Sequence, residues 1–314
     1  MYTPSVKTNW FGRIDDINDS SGYRIHQAIK VNTVDEMSVL NTPSLALISF
    51  ECDEGVRRNK GRVGAVDGPN HIKKAMANLP QITHALFDVG TVRCEGTYLE
   101  KAQEELGEKV STLLKSGHKT IVLGGGHETL YGDYLGVRNA IGHEKKLGII
   151  NIDAHFDLRK YNEMPSSGTM FNQILSEDLR AGYFVIGIQK YGNTEELFNR
   201  ANDLGVQYLL EEDVIKLNPS EIDAQIEQFI ASYDAILLTL CMDVIAADAA
   251  PGVSAPSPFG LQPTLVREII QSVMNSPKVL SFDICEVNPS LDRDERTAKL
   301  AAAFVNEVAV KMVL

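Results

Sequence analysis

Short apolar, β-rich runs recur along the chain at Ser44–Phe50, Ala85–Val89, Thr120–Leu123, Leu147–Ile152, Phe184–Ile188, Gln207–Leu210, Ala235–Leu240 and Val279–Ile284. Their apolar residues are nearly continuous, the mark of strands covered on both faces. Between them lie stretches of helical spacing. In Thr97–Ser116, apolar residues recur at Leu99, Ala102, Leu106, Val110, Leu113 and Leu114, with Thr97 and Glu100 spaced as a capping box and Gly117 as a stop. Further helices are predicted over Gly132–Asn139, Thr194–Asn202, Pro219–Ala231, Thr264–Asn275 and Thr297–Met312. This alternation predicts the α/β class, a mostly parallel sheet between two layers of helices. No repeat, low-complexity stretch or linker interrupts it, so one domain over 1–314 is the simplest organisation. Residues 1–41 precede the first predicted strand as an extension without an evident role.

Sheets of this kind bind ligands beyond the carboxyl ends of their strands. Three of those ends carry unusual residues. Leu147–Ile152 runs into Asp153, His155 and Asp157, two apart, so that an extended chain projects all three to one side. Ala235–Leu240 runs into Cys241 and Asp243, and Thr120–Leu123 into Gly124-Gly-Gly-His127-Glu128. Singly, each has an ordinary explanation. The glycine run could be a tight turn with a structural histidine, and Asp153 and Asp157 could be helix N-caps. Nor is the glycine run a phosphate loop, because no Gly-Lys-Ser/Thr follows and it does not continue as GxGxxG. Together, buried carboxylates converging from several strand ends would repel one another without cations. The set His127, Asp153, His155, Asp157, Cys241 and Asp243 therefore points to a metal centre. Donors that are mainly imidazole and carboxylate favour Mn²⁺ and similar ions over a thiolate-rich zinc site. Six side chains exceed the needs of one catalytic ion. Two ions about 3.5–4 Å apart, sharing a carboxylate, would use them all and would generate a nucleophile for hydrolysis.

Composition narrows the partners. A formal net charge of −12 argues against nucleic acid or an anionic membrane surface. A local basic group (Arg57, Arg58, Lys60, Arg62, Lys73, Lys74) reads by charge alone as a solvated loop. No apolar segment is long enough to span a bilayer, the first residues lack a signal-peptide core, and the four cysteines form no CxxC pair. A cytoplasmic setting with reduced thiols is expected.

The strings Gly124-Gly-Gly-His127, Asp153-Ala-His-Phe-Asp-Leu-Arg159, Ser166-Ser-Gly-Thr-Met-Phe171, Ala250-Pro-Gly-Val-Ser-Ala-Pro256 and Glu286-Val-Asn-Pro289 resemble the arginase/agmatinase (ureohydrolase) superfamily from about Ser44 onward. The details are most similar to its branch that hydrolyses N-formimidoyl-L-glutamate to L-glutamate and formamide in histidine degradation. The resemblance implies a three-layer α/β/α fold with an eight-stranded, mostly parallel sheet, two Mn²⁺ ions per subunit, a small-molecule substrate and a homo-oligomer. It further implies that His127, Asp153 and Asp157 bind one ion, that Asp153 and Cys241 bridge, and that His155 and Asp243 complete the second. Three positions depart from the superfamily. Cys241 stands where most members have aspartate, Phe171 roughly where arginases have a proton-transferring histidine, and Arg159 where arginases carry a small polar residue.

The substrate ends suggest further roles. A protonated amidine calls for a carboxylate, and Glu286 is the candidate, unless it is a surface ion pair with Arg293 or Arg296. Two far carboxylates call for fork-shaped donors: Arg159 first, with Arg58 and Arg62 as further candidates. Asp157 is a candidate proton shuttle as well as a ligand. Alternatives are a guanidino-acid hydrolase, an agmatinase or arginase, or a degenerate arginase-like binding protein that has lost catalysis.

Overall fold

The structure, a computed structural model, describes residues 1–81, 85–161 and 163–312. Its strands are β1 (Tyr2–Thr3), β2 (Lys30–Val31), β3 (Leu45–Glu51), β4 (Leu86–Arg93), β5 (Lys119–Leu123), β6 (Leu147–Ile152), β7 (Ala181–Ile188), β8 (Gln207–Leu210), β9 (Ala235–Cys241) and β10 (Val279–Cys285). The order β4-β3-β5-β10-β9-β6-β7-β8 forms a parallel sheet of eight strands. Two further short strands make the sheet ten-stranded instead of eight-stranded. Both come from the N-terminal extension and pair with β4: β1 antiparallel opposite Thr91 and Val92, β2 parallel opposite Phe87 and Asp88. The extension thus covers an edge that would otherwise present unpaired backbone groups. It is pinned there by buried Asp88, whose carboxylate accepts from Trp10 Nε1 (2.8 Å) and Lys73 Nζ (2.9 Å).

The continuous apolar strands are explained by cover on both faces. Leu45, Leu47, Ile150 and Ile152 point to one core, with helices Gly68–Met76, Pro219–Ala231, Pro263–Met274 and Arg296–Lys311. Ala46, Ile48, Leu147 and Ile149 point to the other, with helices Leu99–Lys115, Thr129–Ile141 and Met170–Glu177. Period-two alternation therefore distributes apolar side chains to two cores, not to core and solvent.

Most predicted elements fall within a few residues of the observed ones. One local expectation does not hold. The helix after β4 starts at Leu99 with Tyr98 as N-cap and no side-chain cap. The Thr97–Glu100 capping box is absent because the Glu100 carboxylate is taken by Arg58 Nη1 (2.5 Å). The short helices Val34–Ser38, Glu54–Arg58 and Gly68–Met76 were not anticipated, and the second of these proves important for the site.

Candidate metal centre

The parallel sheet brings the carboxyl ends of β3, β5, β6, β9 and β10 to one edge. The turn after β5 can lie under the end of β3 only because Gly125 has no side chain: a β-carbon there would sit 1.9 Å from the Cys52 carbonyl oxygen. Gly126 N–H donates to that same oxygen at 2.8 Å. The turn delivers His127 to the centre of the edge, where it is 2% exposed.

Asp153, fully buried, is the hub. Its Oδ2 lies 3.0 Å from His127 Nδ1, and its Oδ1 lies 3.6 Å from His155 Nδ1. Each oxygen of one carboxylate thus faces a different imidazole, the disposition of a bridging ligand. Asn151 Nδ2 and the His155 backbone N–H hold the two oxygens in place, at 3.1 and 2.8 Å. Asp157 Oδ2 approaches His127 Nδ1 at 3.1 Å, and Asp243 Oδ2 approaches His155 Nδ1 at 3.2 Å. Among the described residues two groups of potential ligand atoms result, each within 4.8 Å: His127, Asp153 and Cys241, and Asp153, His155 and Asp243. Asp153 is common to both.

The electrostatics are those of clustered carboxylates that favour positive charge at the centre. Burial alone would lower the pKa of both imidazoles. Contacts to Asp153 and Asp157 for His127, and to Asp243 and Asp153 for His155, overcome it and raise both. Asp153 is held low despite its burial because both histidines bond to it. Burial pushes the Cys241 thiol up, and the charges of Asp153, Asp243 and Glu286 push it further. Asp243 Oδ1 is buried without a hydrogen-bond partner among the described residues. An orphaned carboxylate oxygen in a centre that also holds Asp153, Asp157 and Glu286 is costly unless a cation occupies the space.

A supporting layer fixes His127. Its Nε2 lies 3.0 Å from Thr239 Oγ1, and that hydroxyl donates to Asp283 Oδ1 at 2.6 Å. The hydroxyl proton is thereby engaged, so Nε2–H donates to Thr239 and Nδ1 is left for a ligand role. Sequence reasoning passed over Thr239 and Asp283. The available signal was a carboxylate inside the largely apolar Val279–Cys285 strand.

Glu286 is 5% exposed and is not a surface ion pair. Arg296 turns instead to the Asp248 carbonyl. Glu286 Oε1 accepts the His127 backbone N–H at 3.0 Å, and its own N–H donates to Gly125 at 2.7 Å. Burial, then the charges of Asp243 and Glu128, push its pKa up to about 8. Both Glu286 (φ 70°) and Asp157 (φ 51°) occupy the left-handed region. Non-glycine residues there are strained, and such strain concentrates at functional sites.

These groups form the floor of a cavity of about 290 Å³. Arg159 and Arg62 line it and Arg58 does not. The Arg58 guanidinium is bound by Glu54 and Glu100 and by the carbonyls of Thr97 and Pro165, so its expected substrate contact is corrected to a structural one. Arg62 lines the wall, but its Nε and Nη2 are spent on the carbonyls of Ser254 (2.8 Å) and Val253 (2.9 Å). Among the described residues Arg159 makes a single side-chain hydrogen bond, Nη1 to Asn59 Oδ1 at 2.8 Å, which leaves its other N–H groups at the mouth without a partner there. Phe171 stacks on Tyr183 at 3.7 Å between centroids and meets His127 edge-on, a packing role.

A parallel α/β sheet with an acidic, imidazole-rich cavity at its carboxyl edge defines a centre built for cations. Comparison with known proteins makes this specific. The Arginase family matches residues 43–310. The chain is 52% identical to the formimidoylglutamase of Lysinibacillus sphaericus (strain C3-41), over 98% of this chain and 97% of the relative. It is 38% identical to that of Staphylococcus carnosus (strain TM300), over 98% and 99%. The crystal structure of Trypanosoma cruzi formiminoglutamase with Mn²⁺ has the same fold, with TM-score 0.77, 23% identity, and coverage of 89% of this chain and 98% of that one. The chain belongs to the arginase family and is a hydrolase of that family.

Proposed function

We propose that the protein hydrolyses N-formimidoyl-L-glutamate to L-glutamate and formamide on a centre of two divalent cations, Mn²⁺ in the first instance. His127, Asp153 and Asp157 would hold one ion and His155 and Asp243 the other, with Asp153 and Cys241 between them. The observation that carries the metal reading is the two-faced Asp153 carboxylate, one oxygen toward each histidine. Full-length identity to formimidoylglutamases supports the substrate.

When bound, such a cation pair supplies an oxygen nucleophile at neutral pH and polarises the group attacked. The residues of the chain do the rest. Glu286, anchored through Oε1, presents its second oxygen to the substrate amidinium, whose charge offsets the cost of burying the carboxylate. That contact would orient the amidine toward the cavity floor lined by His127, His155, Asp157 and Asp243. Asp157 accepts the proton of the attacking water and returns it to the glutamate nitrogen as the carbon–nitrogen bond breaks and formamide forms. Arg159 holds a substrate carboxylate at the mouth. Agmatine would bring a cationic amine to this arginine and is disfavoured by like charge.

The pairing of β1 and β2 with β4 supports reading the whole chain as one working unit. Free cysteines at 52, 94, 241 and 285 support a reducing, cytoplasmic setting, and exposed Tyr191 and Phe259 support assembly as a homo-oligomer. The test is to load purified protein with Mn²⁺ and measure formamide and glutamate from N-formimidoyl-L-glutamate. Stoichiometric release of both is expected. Urea from arginine or agmatine, without formamide, would overturn the substrate assignment.

A further inference from the structure

The cavity is polarised. Asp157, Asp243 and Glu286 lie on its floor, and three cationic side chains, Lys60, Arg62 and Arg159, line it as well. A substrate with an amidinium at one end and two carboxylates at the other matches that polarity. Arg159 accounts for one carboxylate. Arg62 is the poorer candidate for the second, because its Nε and Nη2 already donate to the Ser254 and Val253 carbonyls, which fixes its orientation. Lys60 remains. Among the described residues its ammonium makes no ion pair or hydrogen bond.

The backbone at Lys60 supplies an independent observation. Helix Glu54–Arg58 ends with Gly61 N–H bonded to the Val56 carbonyl (2.9 Å) and Lys60 N–H bonded to the Arg57 carbonyl (3.1 Å). This is a Schellman turn, whose left-handed position is usually glycine. Here that position is Lys60, with φ 62°. A side chain there carries a steric cost that glycine avoids. The adjacent Gly61 does not relieve it. Gly61 serves a different contact, since a β-carbon on it would sit 2.8 Å from Ser254 Oγ. The turn also places Asn59, which bonds Arg159, immediately before Lys60. The chain therefore keeps a lysine where backbone sterics favour glycine, beside the residue that positions the mouth arginine.

We propose that Lys60 is a specificity residue that binds the side-chain carboxylate of N-formimidoyl-L-glutamate, while Arg159 takes the α-carboxylate. The inference rests on the substrate reading above. It explains how the site tells a dicarboxylate from a substrate with one carboxylate, and why strain is retained at the helix end.

The test replaces Lys60 with the residue the turn favours. Lys60→Gly and wild type, both Mn²⁺-loaded, are assayed on N-formimidoyl-L-glutamate and on N-formimidoyl-L-glutamine, whose side chain is neutral and nearly the same shape. Wild-type turnover of the first compound checks the substrate reading by itself, and its absence would remove that reading and this one together. With wild type active, Lys60→Gly is expected to raise KM for the glutamate compound about ten-fold with kcat little changed, the loss of a charge-assisted contact made in ground and transition states alike. On the glutamine compound the two proteins should have equal kcat/KM, and the variant's Tm should be no lower than wild type. Lys60→Arg should recover most of the lost affinity. An unchanged KM for the glutamate compound, or an equal rise for both compounds, would overturn the assignment.

Discussion

The two halves of the centre are built differently although they share Asp153. The His127 half is buried and backed, with an imidazole 2% exposed whose far nitrogen is tied through Thr239 to Asp283. The His155 half is open: its imidazole is 29% exposed, and no buried hydroxyl–carboxylate pair stands behind it among the described residues. A ligand whose orientation is fixed beforehand loses less freedom on binding metal, and the groups behind it raise its basicity. The comparison teaches that a shared carboxylate does not make two equal sites. The first ion should be held tightly and the second should exchange.

Removing the shared element gives the largest expected effect. Asp153→Ala takes a ligand from both halves, so both ions should be lost and activity should fall by more than about 10²- to 10³-fold, the range for removing one electrostatic contributor. Metal content after desalting checks it, and full loading in this variant would end the idea of a common ligand. Asp283→Asn probes the buried half alone. It should weaken the tight ion about 10- to 100-fold while leaving the weak one unaffected, as read by Mn²⁺ titration. Equal weakening of both would show that the asymmetry has another origin.

Cys241 sharpens the comparison from the other side. Cys241→Ala should cost the open half more, because the buried half keeps His127, Asp153 and Asp157 with their backing. Cys241→Asp restores a hard oxygen donor and should bind Mn²⁺ at least as tightly as wild type. Identical titrations for wild type and the alanine variant would reduce Cys241 to a packing residue.

Much of this was legible in the sequence because strand geometry is regular. Asp153, His155 and Asp157 follow an apolar run at intervals of two, which marks them as a group, but β6 ends at Ile152 and Asp157 comes in through a left-handed φ of 51°, not through continued strand alternation. The support was not legible in this way. Thr239 and Asp283 sit on separate strands and gain meaning only when β9 and β10 pair in register, with Thr239 opposite Asp283. Basic residues were the least readable class. Arg58, Arg62 and Arg159 look alike in sequence, and only their partners decide which is free: Glu54 and Glu100 take the first, two carbonyls take the second. The strands of the N-terminal extension escaped notice because two residues carry no periodicity.

The smallest expected effect concerns the metal-free protein. Burial raises Glu286 to about 8, and carboxylate contacts raise both histidines above their ordinary value. A group whose pKa rises on folding contributes stability at low pH that is lost as pH climbs through the folded value. The metal-free Tm should therefore fall gradually between about pH 5 and pH 8. Glu286→Gln should flatten the slope, and added Mn²⁺ should reverse it, because metal replaces the bound protons. A metal-free Tm that rose across this range would contradict these assignments.

The central claim is a pair of ions astride one carboxylate, and Mn²⁺ titration followed by electron paramagnetic resonance tests it most directly. The account predicts two ions per chain bound in sequence. The first should give the spectrum of an isolated ion, and the second should convert it to that of a coupled pair as hydrolytic activity reaches its maximum. Saturation at one ion per chain, or two ions that never couple, would contradict it.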